Sequence, residues 1–140
     1  MKIGNTIKLG GGSRLTEQQD AFLRHLWRET IENPIGKGRV YEMQVLIHVR
    51  PFNGYIYVSE VRALRGFRRG SGTKAMRYLT TLADTFNVRL QLAPERIGSE
   101  GMTNAQLRKW YRRFGFVNSK QDSGTMIREA VRPASLQEAR

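Results

Sequence analysis

Tyr55-Ile56-Tyr57-Val58-Ser59-Glu60-Val61 leads through Arg65-Gly66-Phe67-Arg68-Arg69-Gly70-Ser71-Gly72 into a segment where Met76, Leu79, Thr80, Ala83 and Phe86 recur at helical spacing. This run decides the fold. The first part is aromatic and β-branched and predicts a largely buried strand. The last part has one apolar face and predicts a helix. Between them lies a glycine loop that opens the helix. The first amides of a helix lack internal partners, and its dipole favours negative charge there. Gly70 and Gly72 let the backbone approach a ligand with no Cβ in the way. Arg65, Arg68, Arg69 and Lys74 add positive charge around the same point. The chemistry of the loop suits a phosphate or pyrophosphate.

Three kinds of phosphate loop compete for this pattern. A Walker A loop needs Gly-Lys followed by Ser or Thr, and Thr73-Lys74 stands in the wrong order. The dinucleotide fingerprint fits Gly70-Ser71-Gly72-Thr73-Lys74-Ala75 on letters, with Glu95 downstream as the acidic partner. That fold needs several further strand–helix units, and only one follows here. The third form is an acyl-CoA loop, Arg/Gln-x-x-Gly-x-Gly/Ala, placed late in a small α/β domain. Gly70 and Gly72 fit it, while Phe67 stands where Arg or Gln is usual. An ordinary helix start with two turn glycines is the plain alternative.

The chain has 140 residues, which suits a single domain with one core. It has no cysteine, so disulfides, thiolate metal sites and a cysteine acyl-enzyme are excluded. His25 and His48 are too scattered for a metal cluster and read as structural. No apolar run is long enough to span a membrane, and Met1 to Ser13 lacks the apolar core of a secretory signal. A cytoplasmic location is expected. The formal charge of +12 fits an anionic ligand, an anionic partner or nucleic acid, and does not choose among them. The stacking pattern of a single-strand platform is not evident, which ranks nucleic acid last.

Outward from the central run, Ile3 to Leu9 is a possible first strand, and Thr16-x-x-Gln19 has capping-box form, so a helix begins at Glu17. Phe22, Leu23, Leu26, Trp27 and Ile31 make its expected buried stripe, and Asn33-Pro34 and Gly36 end it. Val40 to Val49 reads as one long strand with Tyr41, Met43, Val45, Ile47 and Val49 on one face. Pro51-Phe52-Asn53-Gly54 turns it into an antiparallel hairpin with the strand from Tyr55. Val88 to Ala93 is a further strand, parallel to Tyr55–Val61 because a helix connects the two. Glu95 to Met102 then lies at the carboxyl end of a parallel strand, where open α/β sheets bind ligands. Thr103 caps a helix from Asn104 to about Arg113, and Gly115 stops it. Phe116-Val117 and Thr125 to Arg128 are two short strands. The domain spans 1–129, and the tail 130–140, without apolar periodicity, is expected to be mobile.

The helix from Asn104 carries the second motif, Asn104-Ala105-Gln106-Leu107-Arg108-Lys109-Trp110-Tyr111-Arg112-Arg113-Phe114-Gly115-Phe116. It resembles the Asn-x(6)-Tyr-x-x-x-Gly-Phe segment of the Gcn5-related N-acetyltransferase (GNAT) superfamily. The glycine loop resembles that family's pyrophosphate loop, in the same order and at similar distance. The match covers roughly Val40 to Arg128, and its wording is similar to small acetyltransferase-like proteins encoded by bacteriophages. The resemblance implies an α/β (α+β) GNAT fold: antiparallel N-terminal strands, a parallel pair splayed around the cofactor, and helices on both faces. It implies acetyl-CoA as cofactor, with the backbone at Val61, Arg62 and Ala63 against the pantetheine. Arg68, Arg69, Gly70, Ser71, Gly72 and Thr73 would cradle the pyrophosphate, Asn104 would bond the pantetheine, and Tyr111 would face the sulfur. Phe67 departs from the pattern and removes one side-chain contact.

The implied activity is N-acetyl transfer to a primary amine, on a protein lysine, an N-terminus or a small molecule. Such an amine has a reference pKa of about 10.4 and must lose a proton before attack; the departing thiolate, near 8.5, gains from a positioned acid. Tyr111 is the candidate acid and Glu60 the candidate base, with Glu95 in reserve and pairing with a neighbouring arginine as the other reading of Glu60. Direct transfer in a ternary complex is expected, since no residue is placed to carry the acetyl group. A catalytically weak scaffold that keeps CoA and inhibits a host protein by binding is the alternative. A homodimer is common in similar proteins. No metal is implied.

Overall fold

The computed structural model describes residues 15–42, 44–64, 70–94 and 102–131. The expected strand at Ile3–Leu9, Phe67 with the loop arginines at 65, 68 and 69, the candidate base Glu95 and most of the Glu95–Met102 loop lie outside these residues, as does 132–140. Within them are three helices, α1 (Glu17–Glu29), α2 (Ser71–Phe86) and α3 (Asn104–Arg112). The seven strands are β1 (Thr30–Glu32), β2 (Arg39–Tyr41), β3 (Val45–Phe52), β4 (Tyr55–Ala63), β5 (Leu90–Leu92), β6 (Val117–Asn118) and β7 (Met126–Arg128). They form one mixed sheet in the order β1-β2-β3-β4-β5-β7-β6, in which only β4 and β5 run parallel. The class is mixed α/β.

Local chemistry accounts for most element ends. Thr16 and Gln19 close α1 with a reciprocal capping box, and Thr103 and Gln106 do the same for α3. The β3–β4 hairpin turns on Asn53-Gly54, with Gly54 at φ +88°. Gly115, at φ +97°, lets the chain leave α3 in the left-handed region.

The sheet has two unlike faces. Ile56, Val58 and Val61 of β4, Ile47 and Val49 of β3, Leu90 and Leu92 of β5 and Met126 of β7 are buried in one cluster with Phe22, Leu23, Leu26, Met76, Leu79, Ala83, Leu107 and Tyr111 from the helices. Arg128 reaches the same side. It bonds both carboxylate oxygens of Asp84 on α2, at 2.7 and 3.0 Å, and the Phe114 carbonyl after α3 at 2.6 Å. The three helices therefore share one face, and among the described residues no helix covers the other. Helices on both faces, expected from the resemblance, are not what these residues form.

Three local expectations change and a fourth holds in part. The run Val40–Val49 is two strands: Gln44 N–H donates to the Tyr41 carbonyl and Glu42 takes φ +50°, so the chain turns back between β2 and β3. Ile31 is 51% exposed and belongs to β1 rather than to the helix stripe. Trp27 packs against the core as expected but is only partly buried, with the Arg39 guanidinium 4.7 Å above its ring. The start of the tail is tied down, since Val131 N–H donates to Asp84 Oδ1 at 2.8 Å.

Candidate functional site

α2 begins differently from the other two helices. Its N-cap is Gly70, at φ +89°, and among the described residues no side chain caps it; like α3, it has no acidic residue in its first turn. Lys74 N–H donates to the Gly70 carbonyl, so helical bonding leaves the amides of Ser71, Gly72 and Thr73 without intrahelical acceptors. Any larger residue at Gly70 would hold a strained backbone. The expected charge of Lys74 is already engaged, because its ammonium pairs with Glu42 in the β2–β3 turn.

The parallel pair beside this helix is short. Only Ile56–Leu90 and Tyr57–Gln91 are in register, yet β4 continues to Ala63. Val58 and Glu60 to Ala63, including the predicted Val61, Arg62 and Ala63, are paired with β3, and Val58 to Ala63 have no ladder partner on the β5 side among the described residues.

α3 brings the second motif to the first. A Cβ added at Gly72 would lie 3.9 Å from Trp110 Cη2, so α3 stands against the first turn of α2. The neighbouring Tyr111 is fully buried, edge-on to Trp110 and Phe116 with ring centroids 4.9 and 5.9 Å away. Its hydroxyl has no hydrogen-bond partner among the described residues. Burial alone pushes that phenol well above its ordinary range, so it holds its proton at neutral pH. Asn104, the other predicted contact on α3, is exposed in its first turn.

Glu60 is placed by an irregularity. β4 bulges so that His48 faces Glu60 while Val49 faces Val58, leaving Ser59 extra. The bulge keeps Val58 and Val61 on the buried face and turns Ser59 and Glu60 together to the open one. There Arg62 Nε donates to Glu60 Oε2 at 2.9 Å, the arginine pairing that the sequence left as the other reading. His48, opposite, is held neutral: burial lowers its pKa first, and Lys37 and Arg50 lower it further. Among the described residues no group of three or more His, Asp or Glu side chains is arranged to hold a metal.

On the open face a cavity of about 640 Å³ is lined by Tyr55, Tyr57 and Ser59 of β4, Gln91 of β5, and Asp122 and Thr125 before β7. Among the described residues of that lining, Asp122 is the one charged group. Its carboxylate accepts from Gly124 N–H and Thr125 Oγ1, which hold its pKa below the usual range. Sequence reasoning pointed to the Glu95–Met102 segment as the ligand-binding edge and did not single out the 122–125 turn. The available signal was the alternation Tyr55, Tyr57, Ser59, which lines up polar atoms on one side of β4.

The chain matches no protein-family model, no curated protein and no solved structure. Among the described residues, no helix is long and apolar enough to cross a membrane.

Proposed function

We propose that the protein is a GNAT-type N-acetyltransferase that takes acetyl from acetyl-CoA and passes it directly to a primary amine. The observation that carries this reading is the start of α2, uncapped among the described residues, which follows β4, a strand with a parallel neighbour, and stands against the helix that holds Tyr111. In the proposal the amides of Ser71, Gly72 and Thr73 bind the diphosphate, with Arg68 and Arg69 adding charge. The β4 edge at Val61 to Ala63 runs along the pantetheine, and Asn104 bonds it from α3.

The amine nitrogen attacks the thioester carbonyl, and its excess proton leaves to Glu60 or to water. As the tetrahedral centre collapses, the carbon–sulfur bond breaks and Tyr111 Oη–H gives its proton to the departing sulfur. A phenol kept protonated by burial suits that step. The open-face cavity, with Asp122 as its charged group, suits a polar or cationic acceptor. A host protein is one such acceptor.

The Arg62–Glu60 pair favours a second reading, a CoA-binding scaffold with weak transfer that acts by occupying a partner. The test is mass spectrometry of acetylated products formed from acetyl-CoA and a bacterial lysate, with wild type against Tyr111→Phe. Products that appear with wild type and vanish with the variant support transfer. CoA retained with no product at any amine supports the second reading instead.

A further inference from the structure

The outer side of α3 carries a charge pattern that the acyl-transfer reading does not use. From Met102 to Gln121 the sequence contains Arg108, Lys109, Arg112, Arg113 and Lys120, and no Asp or Glu. Leu107 and Tyr111 point inward, whereas Lys109, Arg112 and Arg113 are exposed. At about 100° per residue these three fall within an arc of roughly 100° on the solvent side. None of them forms an ion pair among the described residues. Arg108 is bonded to Asn118 Oδ1 and the Ser123 carbonyl, each at 2.8 Å, which ties the turn carrying Lys120 to the helix. The carboxylate beyond this span, Asp122, is occupied by its own turn.

We propose that this face is a docking surface for the sugar–phosphate backbone of nucleic acid, bound without reading of bases. Like charges crowded on one helix face repel one another and gain most from a polyanion. The three stripe residues are all cationic; the exposed apolar side chains of this span, Met102 and Val117, lie outside α3 and are not the aromatic or arginine-anchored cluster that seeds a protein interface. Arginine predominates, and its planar fork suits phosphate oxygens. Lys109, Arg112 and Arg113 lie on the side of α3 opposite the buried Leu107 and Tyr111, and this inference does not rest on the acyl-transfer reading.

The test measures binding of the full-length protein to a fluorescent 20-base-pair DNA duplex of mixed sequence by anisotropy, across a salt series. Engagement of five cations predicts a slope of log K against log salt of about −4.5, and a second duplex of unrelated sequence should bind equally. Lys109→Gln with Arg112→Gln and Arg113→Gln should lower the slope to about −2. A control of equal charge change, Arg28→Gln with Arg50→Gln and Arg77→Gln, should leave it near −4.5. Circular dichroism of both triple variants checks that they are folded. No binding at low salt would overturn the proposal, and so would equal losses in the two triple variants, which would mean that only net charge acts. A polyglutamate chain that displaces the duplex at equal charge concentration would assign the face to an acidic protein and also overturn it. Repeating the titration with saturating CoA distinguishes this surface from a coenzyme site, since the proposal predicts an unchanged slope.

Discussion

Replacing Tyr111 by Phe removes one oxygen, and two effects of opposite sign follow from its surroundings. The ring is fully buried, and its hydroxyl has no partner among the described residues. An unsatisfied buried donor costs about 1–3 kcal/mol, and that cost disappears with the oxygen. The ring's edge-on packing against Trp110 and Phe116 is unaffected. Tyr111→Phe should therefore gain about 1–2 kcal/mol, read as a Tm higher by roughly 4–8 °C. If the phenol delivers the proton to the leaving sulfur, the same change should cut acetyl transfer by about 10²- to 10⁴-fold. Tyr78 is the matched control, since its hydroxyl is likewise buried and unpartnered, on α2. Tyr78→Phe should gain stability and keep activity. Scanning calorimetry and a thiol-release assay on both variants provide the measurements. A Tyr111→Phe protein with full activity refutes the catalytic argument. A lower Tm refutes the premise that the hydroxyl is unsatisfied.

Gly72→Ala should fold at least as well as wild type, because its added Cβ meets only Trp110 at 3.9 Å, yet it should weaken CoA binding by blocking the approach to the amides; thermal melts and calorimetry separate the two outcomes. Gly70→Ala meets no atom within 4 Å but sits at φ +89°, so it should lose about 1–2 kcal/mol through backbone strain alone, measurable by urea denaturation. Arg128→Ala leaves Asp84 without its partner on the buried side of the sheet and should cost about 3–5 kcal/mol in the same assay. His48 has its folded pKa below the unfolded value, so the unfolded chain binds more protons between the two. Its contribution is complete above about pH 6.5 and is lost as pH falls through the folded value. The urea midpoint should fall below pH 6.5 in wild type and fall less in His48→Gln.

Where the fold was legible in the sequence, one strong local signal stood alone. Asn53-Gly54 fixed the β3–β4 hairpin, Thr16–Gln19 fixed the start of α1, and the strand–helix–strand order from Tyr55 gave the parallel pair. Val40–Val49 misled because its alternation continues unbroken through a turn that Glu42 takes at positive φ. The β4 bulge left a trace, two successive polar residues where Val58 and Val61 both face inward, but alternation alone does not tell a bulge from a strand end. The candidate site divides the same way. Gly70 and Gly72 reveal a helix start open to an anion, while the Arg62 contact to Glu60 and the turn at Asp122 depend on cross-strand neighbours that spacing does not encode.

Calorimetric titration of the protein with acetyl-CoA tests the central claim most directly. A saturable one-to-one heat is expected, with CoA binding comparably and Gly72→Ala binding much more weakly. No heat with either ligand from a folded protein would contradict it.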